Sequence, residues 1–119
     1  MRDPSKQEPA VVVTKAYDFV LWLLPKVEHF PRSYKFSVGE RLVSTGLDLL
    51  MSLVQASYVS EKTMLLQTAS VNTNTVRYLI RLSKDLRLVS ASAYEFASGR
   101  IEEIGRMVGG WQKADARRA

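Results

Sequence analysis

The sequence predicts an all-α protein, an up-down-up-down four-helix bundle. Four stretches carry apolar residues at helical spacing, and short connectors separate them. No stretch of useful length alternates between apolar and polar residues as a half-buried strand does. The chain has 119 residues, which is enough for one domain with its own core.

The fourth stretch has the clearest pattern. Its apolar residues recur at gaps of three and four: Tyr94, Ala97, Ile101, Ile104, Val108 and Trp111. Such a seam needs a long partner surface, so we expect a closing helix that reaches about Asp115. Ser92 and Glu95 form a capping-box pattern at its start. Gly105 and Gly109 each cost about 1 kcal/mol in a helix, which predicts close approach of another backbone.

The first helix is expected to begin near Val11–Thr14, after a flexible arm of residues 1–10 with two prolines among charges. Its seam is predicted at Val13, Tyr17, Val20, Leu24 and Val27. Pro25 lies inside this pattern and removes one backbone donor. Because the period continues to Phe30, we expect a kink rather than a stop.

The second helix is expected between Ser37 and about Tyr58, with Ser37 and Glu40 as a capping box. Its wide apolar face holds two stripes: Leu42, Gly46, Leu49, Leu53 and Ala56, and beside them Val43, Leu47, Leu50 and Val54. The bundle domain is expected over residues 11–115, with a basic tail at 116–119.

The third helix is expected from about Glu61 to Asp85. Its predicted seam is Leu65, Ala69, Asn72, Val76, Leu79, Ser83 and Leu86. A second apolar set lies about 110° round this helix by the 100°-per-residue rule. Its members are Met64, Val71, Tyr78 and Leu82. One set can face the core, so the second predicts an oligomer interface.

Composition argues against an enzyme. The chain has no cysteine and one histidine, which excludes disulfides, thiolate chemistry and the usual zinc spacings. The sequence shows no phosphate-binding loop, nucleophile elbow or paired carboxylates, so we expect no cofactor and no metal. It also lacks a signal peptide and an apolar run of roughly 18 residues, which indicates a cytoplasmic protein without a membrane partner.

The net charge of +5 lies mostly in the second half of the chain. Arg77, Arg81 and Lys84, at spacings of four and three, share one face of the third helix. Their functional interpretation is a phosphate-contacting stripe, extended by Arg87, Arg32 and Lys35. The alternative is an ordinary solvated helix face. Against the functional interpretation, the sequence shows no base-stacking set of aromatic residues interleaved with these cations.

Asn72 and Asn74 are polar residues on the central helix. They predict a hydrogen-bonded layer that sets register, or alternatively the lining of an axial channel in an oligomer.

Three segments resemble a known family: Glu-Ile-Gly-Arg-Met-Val-Gly-Gly-Trp at 103–111, Val-Arg-Tyr-Leu-Ile-Arg-Leu at 76–82, and Leu-Leu-Pro-Lys-Val-Glu-His-Phe-Pro-Arg at 23–32. Together they are similar to the accessory variability determinant, Avd, of diversity-generating retroelements. The order and spacing of the four helices fit from about Tyr17 to Lys113. A related branch comprises four-helix proteins encoded by intervening sequences in bacterial ribosomal RNA genes.

The resemblance implies a barrel-shaped homopentamer. It also implies a non-catalytic protein that binds nucleic acid, either RNA or DNA, and associates with the retroelement's reverse transcriptase during mutagenic cDNA synthesis. The family's basic surface would correspond to Arg77, Arg81, Arg32, Lys35 and Arg41. The alternatives are an oligomeric protein-binding scaffold, and a protein of the ribosomal RNA branch without strong nucleic-acid binding.

Overall fold

The computed structural model describes residues 4–118, with side chains from Val11 onward. Four long helices are present: α1 (Pro4–Glu28), α3 (Glu40–Ala56), α4 (Thr63–Asp85) and α5 (Ala91–Arg118). A short helix α2 (Arg32–Tyr34) and a π-helical segment (Lys35–Gly39) lead directly into α3. The described residues contain no β-strand, and the all-α prediction is confirmed.

The four long helices form a bundle of about 48 × 24 × 18 Å. Helix α3 packs between α1 and α4, and α5 closes the ring by packing on both α4 and α1. Short connectors join successive helices, so neighbours run in opposite directions. This arrangement is the expected four-helix bundle. Within the described residues, no helix is long and apolar enough to span a bilayer.

The predicted seams of α3 and α5 form much of the core. In α5, the residues from Ala97 to Trp111 on the seam are buried, and Tyr94 packs against them from the edge. In α3, the buried line is the first of the two predicted stripes. The second stripe is partly buried or exposed, since Leu47 remains 39% accessible.

The predicted seam of α1 is wrong at two positions. Tyr17 is 56% exposed and Leu24 36%, whereas Phe19 and Leu23 are buried. The run from Phe19 to Leu24 is apolar around the whole helix, so periodicity alone could not select the inward side. A similar shift occurs in α4, where the buried line is Leu66, Ala69, Thr73, Val76, Ile80 and Ser83.

Helix starts also differ from the predictions. Helix α1 already begins at Pro4 and continues through Pro25 to Glu28, while residues 1–3 lie outside the described residues. Ser37 caps nothing: its hydroxyl donates to the Tyr34 carbonyl at 3.3 Å within the π-helical segment. At the start of α5, the Ala93 amide donates to Ser90 Oγ at 3.1 Å, so the cap lies two residues before Ser92.

Buried hydroxyl groups bond to their own helices. Thr73 Oγ1 donates to the Ala69 carbonyl at 2.7 Å, and Ser83 Oγ donates to the Leu79 carbonyl at 2.8 Å. Asn72 is only partly buried and Asn74 is exposed. The buried hydroxyl groups of α4 therefore form their hydrogen bonds with carbonyl groups of the same helix. They do not form the hydrogen-bonded layer between helices that was expected to set register.

Gly39, the last residue of the π-helical segment, is predicted to be intolerant of even one methyl group. A Cβ atom there would lie 2.9 Å from Val27 Cγ1 and 3.3 Å from Phe30 Cδ2. We expect Gly39→Ala to lower the free energy of unfolding by about 1–3 kcal/mol through overpacking. Gly110→Ala is the matched control, because a Cβ there meets nothing within 4 Å. That change should stabilise the helix by up to about 1 kcal/mol. Urea unfolding followed by circular dichroism would measure both, and equal effects would contradict the close packing at Gly39.

Candidate nucleic-acid interface

Basic side chains gather at one end of the bundle, called here the basic end. The carboxyl ends of α1 and α4 and the amino ends of α3 and α5 meet there around Phe30, Leu42, Ile80 and Val89. The basic end carries Lys26, Arg32, Lys35, Arg41, Arg81, Lys84 and Arg87. The fold thus brings together six of the seven residues predicted to bind nucleic acid, from two separate parts of the sequence.

The cations contributed by α4 and its connector point outward. Arg81 and Lys84 are exposed, and Lys84 Nζ lies 4.7 Å from the centre of the Tyr94 ring. Arg87 is exposed and has a φ of 61°, a left-handed conformation that ends the helix. Cations near the carboxyl terminus of a helix also interact favourably with the helix dipole, so part of the role of Arg81, Lys84 and Arg87 is to stabilise the fold.

The segment before α3 and the first turn of α3 contribute three more cations. Arg32 and Arg41 are exposed. Lys35 Nζ forms an ion pair with Glu28 Oε1 at 2.9 Å and lies 5.9 Å from the centre of the Phe36 ring. Lys35 is therefore partly neutralised, whereas Arg32 and Arg41 have no comparable carboxylate contact within the described residues.

Arg77 is placed apart from the other predicted binding residues, in the contact between α4 and α5. Its Nε lies 3.0 Å from Glu102 Oε1, an ion pair whose angle does not make a hydrogen bond. Its Nη1 donates to Asn74 Oδ1 at 2.8 Å. Its guanidinium also packs 3.3 Å from where a Cβ of Gly105 would stand. Gly105 therefore accommodates a side chain, and the backbone approach expected at Gly105 and Gly109 is not seen.

The second apolar set of α4 is left uncovered by the chain itself. The exposed fractions are 75% for Met64, 56% for Val71, 67% for Tyr78 and 43% for Leu82. By the 100°-per-residue rule this strip lies on the outer side of α4, roughly opposite its buried line and about 100–140° round the helix from Arg77, which faces α5. The basic and apolar surfaces of α4 are thus separate.

Another apolar surface flanks the contact between α1 and α3, where Gly46 lies against Leu23. Tyr17 and Leu21 of α1 are 56% and 62% exposed, and Met51 of α3 is 48% exposed. The sequence interpretation missed this surface because it assigned Tyr17 to the core. The available signal was the continuous apolar run of α1, which is too wide for one buried side.

An aromatic cluster joins α1 to α5. The ring centres of Trp22 and Phe96 lie 5.1 Å apart, with an angle of 43° between the ring planes. The ring centre of Phe19 lies 6.2 Å from that of Trp22. Lys26 Nζ lies 5.5 Å from the Trp22 ring centre, and Arg100 Cζ lies 5.1 Å from that of Phe96. No sequence signal indicated this cluster, because Trp22 and Phe96 come from helices far apart in the chain.

Charged residues line the same face next to the rings. Lys15 Nζ contacts Glu103 Oε1 at 2.6 Å, and Arg100 Nη1 lies 3.7 Å from Glu103 Oε2. The hydrogen bond from Lys15 lowers the pKa of Glu103, and the charges of Lys15, Arg100 and Arg106 lower it further. A cleft of about 200 Å³ opens beside Phe96, lined by Lys15, Asp18, Phe19 and Arg100.

Comparison with known proteins supports both the fold and the family. No curated protein matches this sequence. A crystal structure of a protein with unknown function from the S23 ribosomal protein family of Bacteroides thetaiotaomicron aligns with a TM-score of 0.82. The alignment covers 89% of this chain and 98% of that one at 16% sequence identity, so the likeness is one of fold. The model of the family described as bAvd-like matches residues 10–114. The chain therefore belongs to the bAvd-like family.

Proposed function

We propose that this protein is a non-catalytic accessory subunit of a diversity-generating retroelement. It binds the element's reverse transcriptase together with RNA or DNA and supports mutagenic cDNA synthesis. The observation that carries the proposal is the family match over residues 10–114, nearly the whole bundle. The basic end supports the nucleic-acid part of the proposal, because it offers several outward cations on a rigid scaffold.

Binding at the basic end would depend mainly on phosphate contacts. Each phosphate neutralised by a lysine or arginine releases condensed counterions, so affinity falls steeply with salt. Contacts of this kind position the nucleic acid but read little sequence. Arg32, Arg41, Arg81 and Arg87 are the main candidates, because Lys35 and Arg77 already contact carboxylates of this chain.

Assembly as a homopentameric ring is part of the same proposal. The four exposed apolar residues Met64, Val71, Tyr78 and Leu82 lie along one side of α4, and exposed apolar surface of large extent is typical of interaction sites. A second copy that covers this strip would remove it from water. A ring would also multiply the basic ends, so that one nucleic acid could contact several copies at once.

A charge reversal at the basic end tests the binding proposal. Arg32→Glu combined with Arg81→Glu should weaken binding of a generic RNA by more than tenfold at about 0.15 M salt, since it replaces two phosphate-contacting cations with anions. Fluorescence anisotropy between about 0.05 and 0.2 M salt would measure affinity and its salt dependence.

The matched control is Arg117→Glu combined with Arg118→Glu. It makes the same change in net charge at the opposite end of the bundle, where α5 terminates. Equal loss in both double variants would show that only total charge matters. Binding that neither double variant weakens, or that does not respond to salt, would contradict the assignment of the basic end.

A second candidate function is an oligomeric scaffold that binds only protein. The extent of exposed apolar surface on α1, α3 and α4 favours it. A gel shift with RNA and a pull-down with a reverse transcriptase encoded beside this gene would separate the two functions. Capture of the reverse transcriptase without any RNA shift would favour the scaffold.

A further inference from the structure

We propose that the aromatic cluster of Trp22 and Phe96 is a stacking site for unpaired bases of a single-stranded nucleic acid. Lys26, which makes no ion pair among the described residues, would contact a phosphate next to the stacked base. This inference deepens the proposed function and rests on it, since it locates a second contact surface, on the α1 and α5 side of the bundle, that adjoins the basic end at Lys26. Its chemistry differs too, because phosphate contacts alone do not distinguish paired from unpaired strands.

The rings are available and rigidly supported. Phe96 is 42% exposed although it is apolar, and Trp22 is partly exposed beside it. Phe19 is only 2% exposed and contacts Trp22 from the core side, which limits movement of the indole. Stacking of a base on an exposed aromatic ring contributes about 1–3 kcal/mol and tolerates any base, because every base has a π-face.

The surrounding charge suits a polyanion with aromatic groups. Three basic residues lie at the rings or line the cleft beside Phe96: Lys15, Lys26 and Arg100. Asp18 lines the same cleft, and Glu103 is already paired with Lys15 and Arg100. The cleft beside Phe96 leaves open space between Lys15 and Arg100, next to the ring faces.

The alternative is a purely structural role. Lys26 lies over the Trp22 ring and Arg100 over the Phe96 ring, and such cation–π pairs also occur where they only stabilise a fold. A purely structural cluster would hold α1 against α5 and would bind nothing. The two interpretations differ in measurable ways. Stacking requires an unpaired base, so it affects single strands and leaves duplex binding unchanged. A structural role affects unfolding and leaves binding of both nucleic acids unchanged.

Tryptophan fluorescence provides a direct test. The chain has two tryptophans, and Trp111 is buried at 6% exposure. In a Trp111→Phe background, Trp22 is the sole tryptophan reporter. An oligouridine of about 12 nucleotides, within the site sizes of single-strand binding surfaces, should quench Trp22 emission. A hairpin duplex of the same length should quench it much less.

A substitution provides the second measurement and needs no tryptophan change. Phe96→Leu keeps an apolar side chain but removes the aromatic face, and it should weaken oligouridine binding by about 5- to 150-fold in fluorescence anisotropy. Hairpin affinity should change less than twofold. The control is Tyr58→Ala, which removes an 85% exposed aromatic ring at the opposite end and should leave both affinities unchanged.

The outcomes separate this inference from the proposed function. Oligouridine binding that neither quenches Trp22 nor responds to Phe96→Leu would overturn the stacking site alone. Failure to bind any nucleic acid at about 0.15 M salt would overturn both the site and the nucleic-acid part of the proposed function. Quenching together with a single-strand-specific loss in Phe96→Leu supports the site.

Discussion

Replacing Tyr78 with glutamate is expected to dissociate the proposed pentamer into single chains. Tyr78 is 67% exposed on one chain and lies within the apolar strip of α4. In an interface its ring would be buried against a second copy, and a carboxylate there would lose its hydration without a partner, a cost of several kcal/mol. Light scattering should give about five chains per particle for the unmodified protein and one chain for the variant.

The fold of each chain should survive this substitution, because the side chain contributes little to the chain's own core. Ala116→Glu is the control: it adds the same charge at an exposed position near the end of α5, and particle size should not change. A monomeric unmodified protein would contradict the ring. Unchanged particle size in both Tyr78→Glu and Leu82→Glu would instead move the interface to the apolar surface of α1 and α3.

Leu49→Ala is expected to produce the largest loss of stability. Leu49 is fully buried in α3, the helix that packs between α1 and α4. Removing its side-chain methyl groups sacrifices apolar burial and leaves a cavity, which together cost about 2–5 kcal/mol. For a domain whose total stability is about 5–15 kcal/mol, this change would shift the unfolding midpoint strongly.

Leu47→Ala is the matched control for this prediction. The same substitution two residues earlier in α3 removes a side chain that is already 39% exposed, so the free energy of unfolding should change by about 0.5 kcal/mol or less. Urea unfolding at one fixed protein concentration would compare the two, since assembly makes stability depend on concentration. A similar cost for both variants would mean that the core does not lie along Leu42, Leu49 and Leu53.

The number and order of the main helices, and their approximate bounds apart from the start of α1, could be predicted from sequence. In α5 the apolar residues form one narrow seam, and the residues from Ala97 to Trp111 on it are buried as expected. The first stripe of α3 is equally clear, because small and large apolar residues recur at gaps of three and four. In both helices, polar residues on the outer side leave a single face that can turn inward.

The rotation of α1 could not be predicted in the same way. The run Phe19–Leu24 is apolar on every side, so its inward face depends on what α3 and α5 offer. Leu23 packs against the small residue Gly46, and the Trp22 ring packs against Phe96. These contacts fix the rotation of α1 and leave Tyr17 on its outer side. The choice of seam was therefore a tertiary effect that local periodicity does not contain.

The candidate interface was predictable only in part. The stripe of Arg77, Arg81 and Lys84 was visible as a spacing, but the neighbour that pairs with Arg77 is Glu102 on another helix. Ser37 had the right spacing to Glu40 for a cap, yet the helix already runs through it. Side-chain pairs between distant segments determine which cations stay free, and one sequence does not display those pairs.

The π-helical segment at Lys35–Gly39 sets the angle, measured about the helix axis, between Arg32 before it and Arg41 after it. A π turn holds one residue more than an α turn, and each α-helical residue advances the chain by about 100°. Deleting one residue there would turn Arg32 by roughly that angle about the axis, relative to Arg41. Length variation of a single codon at this point would thus re-aim the surface, provided that Gly39 keeps its close packing against Val27 and Phe30.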